Sequence, residues 1–441
     1  MRSSRSERGA GAFALAVGAG LLAGLAAVVP PAYLAAALAA LGLGLLFLRV
    51  PARTEAVVAL YWVAFCLFST MLVDQVVPGI FVLFYGAMFL GVLLGSMAGG
   101  LRLDPTTVWL YAAFLLVVVL SLVGSEASLG SLAERLILYP FGALVLLQFR
   151  APRGHVGVVA TAALTSLAVA AWVVVQADQA DFAYRAALDV NQNVVSFYVG
   201  IGFVVALAWL AAAAVRGARG RWTAIGVALA LGVMSYSLIL LASRGATIAV
   251  GATLLVLGAW AVRHRPRRLL ALLAVVALAG LGLLLPGGAG LLERFESEST
   301  ATGGGRTEIW RTVSVEMMAG APQELLLGHG FDRSRELVSG SFGLISSTHS
   351  AYLLIVYDFG VIGLLLFLAL HALPFVRGWR LGGVRGALVV GLVAYLLTTS
   401  LFLSTPDNFL YWAALGLVLA MAHPTAARAL PVPAPAVRLR T

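Results

Sequence analysis

Three short stretches set a cation or a base among small or flexible residues, and each could handle a phosphate or a hydroxyl proton. Ser243-Arg244-Gly245 puts a guanidinium next to a glycine that lets a ligand approach the backbone closely. Gly303-Gly304-Gly305-Arg306-Thr307-Glu308-Ile309-Trp310 puts another where a helix begins after a glycine hinge. Free backbone N–H groups and the side chain could share an anion there. It lacks the Lys-Ser/Thr of a P-loop. Thr348-His349-Ser350-Ala351-Tyr352 carries an imidazole placed to act as general base, and arginines nearby would lower its pKa and keep it neutral. Each stretch also has a plainer reading: an arginine snorkelling to headgroups, a solvated helix start, a structural histidine near an interface.

The remaining candidates are weaker. Gly328-His329-Gly330-Phe331 reads as a tight turn, and His155, His264 and His423 as bystanders. Two histidines on one side without neighbouring cysteines argue against zinc. Asp189, Asn191 and Asn193, beside Arg185, could hydrogen-bond sugars or cap a helix starting near 192.

The elements that must position these residues are membrane helices. Of the 441 residues 61% are hydrophobic and only 11% charged, too few charges to cover a soluble surface. The single cysteine, Cys66, excludes a disulfide framework. A net charge of +10 could suggest nucleic acid, but all 29 basic residues are arginine and sit in short clusters between apolar runs, the pattern of membrane orientation. The N-terminus reads as a first span preceded by Arg2, Arg5 and Arg8 rather than a cleaved signal.

A bilayer core takes about 20 apolar residues as helix. Spans are expected near 11–29, 32–48, 56–73, 79–98, 107–124, 134–149, 155–176, 192–215, 222–241, 246–262, 269–285, 349–376, 386–403 and 408–425. The first pair, joined by Pro30-Pro31, could instead form a hairpin. The fold class is therefore all-α, a polytopic bundle of about 12–14 spans, in three parts: N-terminal helices over 1–190, a catalytic region over 191–430 and a tail over 431–441. With both termini inside, most arginines fall in inside segments. Eight do not: Arg135, Arg185, Arg244, Arg294, Arg306, Arg311, Arg333 and Arg335. Topology gives these no reason to be outside, which makes them functional candidates. The polar segment 286–348 lies on the same side and should hold an amphipathic helix from Arg306 to Met318, with Ile309, Trp310, Val313 and Met317 on one face. A loop of that length reads as a lid over an active site.

At these residues the sequence resembles the bacterial O-antigen ligase and polymerase family, membrane glycosyltransferases that share a Wzy-type C-terminal region. The resemblance covers mainly residues 190–376. It rests on Ser243-Arg244-Gly245, Gly305-Arg306 with Trp310, Gly328-His329-Gly330-Phe331 and His349-Ser350-Ala351-Tyr352-Leu353, where Ser350 replaces the family's usual asparagine. It implies transfer of a glycan from undecaprenyl pyrophosphate to an acceptor hydroxyl at the outer side of the bacterial cytoplasmic membrane, with no metal or cofactor. Arg244 and Arg306 would grip the pyrophosphate and His349 would activate the acceptor. Arg135, Arg185, Asn191, Arg311 and Tyr352 are candidate substrate-binding residues on that side. The implied partners are the lipid-linked glycan, an acceptor glycolipid, the bilayer and a chain-length regulator, and no nucleic acid. One base without a carboxylate pair points to inversion by direct displacement. The acceptor separates a polymerase, slightly favoured, from a ligase acting on lipid A-core. A flippase would instead place its arginines along a midplane cavity between two similar halves.

Overall fold

The computed structural model describes residues 104–122, 139, 152–177, 192–212, 217–285, 288–296, 305–342, 347–405 and 408–423. They belong to one compact unit. Among the described residues all regular structure is helical, and the chain is an all-α polytopic membrane protein. The spans expected near 11–29, 32–48, 56–73, 79–98 and, Tyr139 apart, 134–149 lie outside the described residues.

Helix α1 (Pro105–Leu120) starts from Asp104, whose carboxylate accepts from the Thr107 backbone N–H at 3.2 Å, with proline in the first turn. There follow α2 (Pro152–Ala177), α3 (Gln192–Ala212), α4 (Gly217–Leu241), α5 (Arg244–His264) and α6 (Leu269–Gly282). The polar segment then contributes α7 (Gly288–Glu296), α8 (Arg306–Ala319), α9 (Pro322–Leu327) and α10 (Arg333–Phe342). Helices α11 (Ala351–Arg380), α12 (Gly383–Thr399) and α13 (Phe409–Met421) complete the bundle. Gln192–Ala212, Gly220–Leu241, Arg244–His264 and Ala351–Arg380 are each long and apolar enough to cross a membrane.

Helix α3 is the centre. It is apolar on every face and buried from Val195 to Val205 without a break, as a helix enclosed by others must be. It packs on α2, α4 and α12. Gly200 makes the α12 contact possible, because a Cβ there would lie 2.4 Å from the Tyr395 ring carbon that bears the hydroxyl. That hydroxyl donates to the Phe197 carbonyl at 3.2 Å.

Several expected spans differ from the helices found, among them the one near 408–425, whose helix has 13 residues. The one near 269–285 is a helix of 14 residues, about 21 Å long and short of a bilayer core of about 30 Å. The one near 349–376 is two helices rather than one. Gly360 breaks α11 with φ 70° and ψ −177°. The Tyr352 and Phe367 rings, which a straight helix would hold about 22 Å apart, lie 6.1 Å apart across this break.

Such a break frees carbonyls that the next turn would have bonded, and a buried carbonyl left unpaired costs about 1–3 kcal/mol. The Gly-His-Gly-Phe stretch supplies the donors. The His329 N–H meets the Tyr357 carbonyl at 2.8 Å, and the Gly330 N–H meets that of Asp358 at 3.3 Å. The buried Asp358 carboxylate accepts from the Ser334 N–H at 2.8 Å. Phe331 then enters an aromatic cluster with Tyr139 and Phe359. The expected tight turn is thus a splice that holds the polar segment against the break.

The connections sort into two ends. At one, Arg377 pairs with Asp104 at 2.6 Å, His264 Nε2 lies 3.0 Å from the Trp379 carbonyl, and Arg385 donates to the carbonyl of His423 at 2.9 Å. The starts of α5 and α11, the polar helices and the 400–405 turn meet at the other.

Candidate active site

At this second end three helices begin beside one another. Helix α5 opens with Arg244 and α8 with Arg306, and neither helix has a side-chain cap on its first turn. Each therefore offers backbone N–H groups and the positive end of its dipole next to a guanidinium. The third helix, α11, begins two residues after His349.

Local sequence explains each start. Gly305 adopts φ 82° at the N-cap of α8, a left-handed conformation that only glycine takes cheaply. At α5 the Ser243 hydroxyl lies 3.1 Å from the Asn193 side-chain oxygen, which ties the entry of Arg244 to the first turn of α3. Asn193, weighed as sugar ligand or helix cap, lies inside α3 and is joined to Ser243. His349 itself has φ 51°. Its neighbours hold it there: the Thr348 hydroxyl donates to the Ser350 carbonyl at 2.8 Å, and the Ala351 N–H donates to the Ser400 carbonyl at 2.8 Å.

Helix α8 packs as its periodicity implied. Ile309 and Val313 are buried with Val338 and Tyr357, and Trp310, Met317 and Leu353 pack around them. One turn along from Arg306, Trp310 donates its indole N–H to the Thr348 carbonyl at 3.0 Å. The arginine and the histidine are thereby fixed to the same small frame.

The electrostatics of the three groups are linked. Arg306 is half-buried, and burial first, then the charge of Arg244, lowers its pKa. His349 is lowered by burial first and then by Arg306, so its imidazole is neutral at pH 7. Among the described residues no carboxylate pairs with Arg306. Two cations held close, with uncapped N–H groups beside them, make a place where a polyanion is favoured. A neutral imidazole at its edge can accept a proton.

The other expected residues divide. Arg311 is on the exposed face of α8, turned away from Arg306. The Tyr352 hydroxyl donates to the Leu397 carbonyl at 2.6 Å, so it braces α11 against α12. Arg135, Arg185 and Asn191 lie outside the described residues. Sequence reasoning missed His371, which is fully buried between the Phe367 carbonyl at Nδ1 (2.8 Å) and the Tyr411 hydroxyl at Nε2 (2.6 Å). The Tyr411 hydroxyl is 3.3 Å from that of Ser400, whose carbonyl anchors Ala351. A histidine inside an apolar span is itself a signal, since such groups are retained for a reason. Among the described residues no cluster of metal-ligating side chains occurs.

Residues 227–368, which contain Arg244, Arg306 and His349, match the family described as O-antigen ligase. Over 192 residues the chain is 29% identical to the O-antigen ligase of Pseudomonas aeruginosa, an alignment that covers 42% of this chain and 45% of that protein. Over this region the chain is similar to the O-antigen ligase family. The aligned stretch spans less than half of the curated relative.

Proposed function

We propose that the protein is a membrane glycosyltransferase that moves a glycan from a polyprenyl pyrophosphate to an acceptor sugar hydroxyl, at the outer face of the bacterial cytoplasmic membrane. The observation that carries this reading is the convergence of Arg244, Arg306 and His349 at three helix starts. The leaving group is a pyrophosphate. Two guanidiniums and helix N-termini can take up its developing charge, the role that Mg²⁺ plays in other transferases. His349 accepts the acceptor proton as its oxygen attacks the anomeric carbon, the bond to pyrophosphate breaks, and the configuration inverts. Helices α8 to α10 cover this centre from the outer side.

For the acceptor, the arginine and histidine pattern is equally suited to a growing repeat unit or to lipid A-core. The slight lean of the sequence is to polymerisation. The likeness to a protein named O-antigen ligase supports ligation as the second reading.

Purified protein mixed with lipid-linked repeat units distinguishes the two. A ladder of longer lipid-linked glycans identifies a polymerase, and product that forms only once lipid A-core is added identifies a ligase. His349→Ala should abolish either product while donor binding persists, and normal product from it would remove the base assignment. Arg306→Lys should also impair transfer, because a point charge cannot replace bidentate phosphate contact.

A further inference from the structure

At the end of the bundle away from Arg244, a cavity of about 550 Å³ opens between α5 and α11. Its walls are apolar, with Leu255 from α5 and Val376 and the aromatic pair Phe375 and Trp379 from α11, and Arg263 and Arg380 also line it. Leu255 is 78% exposed and Val376 48%, so the groove opens sideways onto the surface that a bilayer covers. Lipid must fill it, since a void of that size against hydrocarbon forfeits dispersion contacts on every wall. The volume lies in the range of about 300–1,000 Å³ usual for small-molecule sites.

The two arginines decide which lipid. Among the described residues no acidic side chain lines the groove, and neither Arg263 nor Arg380 has a carboxylate partner. Asp104, an acid at this same end, is bonded to Arg377. The contact between His264 Nε2 and the Trp379 carbonyl, at 3.0 Å, ties α5 to α11 here and sets the two arginines on one opening. Any tail could occupy the apolar walls, but two guanidiniums with no carboxylate partner among the described residues favour a phosphate that bears net negative charge.

We propose that this groove binds one anionic phospholipid from the leaflet at that end, its acyl chain along Leu255 and Val376 and its phosphate between Arg263 and Arg380. The site is separate from the glycan-transfer centre and does not rest on that reading.

The test uses the full-length protein reconstituted in vesicles of phosphatidylcholine with a fifth phosphatidylglycerol, then extracted in mild detergent, with retained lipid counted by mass spectrometry. The wild type should keep phosphatidylglycerol in preference to phosphatidylcholine. Retention should fall by roughly fivefold for each arginine removed in Arg263→Gln and Arg380→Gln. The pair Arg265→Gln/Arg267→Gln removes exposed charges at the same end that do not line the groove, and should leave retention unchanged. Equal retention of the two lipids, or an equal loss in the control pair, overturns the proposal. A photoactivatable phosphatidylglycerol applied to the wild type needs no substitution. Adducts within 255–263 and 375–380 support the site; adducts elsewhere, or the same adducts from the phosphatidylcholine analogue, overturn it.

Discussion

Trp310 donates its indole N–H to the carbonyl of Thr348 at 3.0 Å, and so joins the helix that carries Arg306 to the residue before His349. The polar segment is docked on the bundle by this bond and by the apolar contacts of Ile309 and Val313 beneath it. Trp310→Phe keeps most of the ring packing and removes the donor. One hydrogen bond is worth about 1 kcal/mol, so transfer should fall by about tenfold or less while membrane abundance is unchanged. Product formed per milligram of protein measures this. An unaltered rate would mean that the tie does not position the site.

Arg306 also acts on His349 through its charge. The imidazole pKa is lowered by burial and then by Arg306, so the neutral base persists below pH 6.5, and the rate should fall only as the pH drops through the lowered value. Removing a nearby cation makes protonation easier. Arg306→Gln should therefore move the acid limb of the pH–rate profile upward, towards but not past 6.5, because burial still disfavours the imidazolium. The same sign governs stability. The unfolded chain binds this proton first, so the native state loses stability as the pH falls from 6.5 towards the lowered pKa. A limb that stays still or moves down would separate the two residues.

Gly360 is held at φ 70°, and a Cβ there would lie 2.1 Å from the Leu326 carbonyl oxygen. Gly360→Ala should cost at least about 2 kcal/mol, through left-handed backbone and through loss of the splice beneath it. Gly340 faces open space within α10. Gly340→Ala should be neutral or slightly stabilising. Thermal melting of both variants in one detergent makes the comparison.

Tyr411→Phe leaves His371 Nε2 buried without its donor. The expected cost is about 1–3 kcal/mol, seen as a lower melting temperature. The loss should extend to activity, because Ser400 neighbours the same hydroxyl and its carbonyl anchors Ala351, two residues after His349.

Much of this site was legible from one dimension. Arginine is costly on the side of a membrane that topology disfavours, so the spans alone single out eight arginines, Arg244 and Arg306 among them. The apolar face of α8 followed from its spacing, and Gly305 marked its start. The same method could not separate Arg311 from Arg306, since both share a side of the membrane and only the helix rotation turns one outward. Tyr352 sits in a motif beside His349, but its hydroxyl bonds to a carbonyl of another helix, distant in sequence.

What the sequence by itself determined was the all-α membrane class of the protein and the three groups proposed for the site, because these follow from hydropathy, charge and local backbone preference. What only the tertiary structure decided was the break at Gly360, the Gly-His-Gly-Phe segment that satisfies it, and the Trp310–Thr348 and Ser243–Asn193 bonds. Each depends on carbonyls and side chains that come within hydrogen-bond distance only after helices remote in sequence have packed, and no periodicity encodes that meeting.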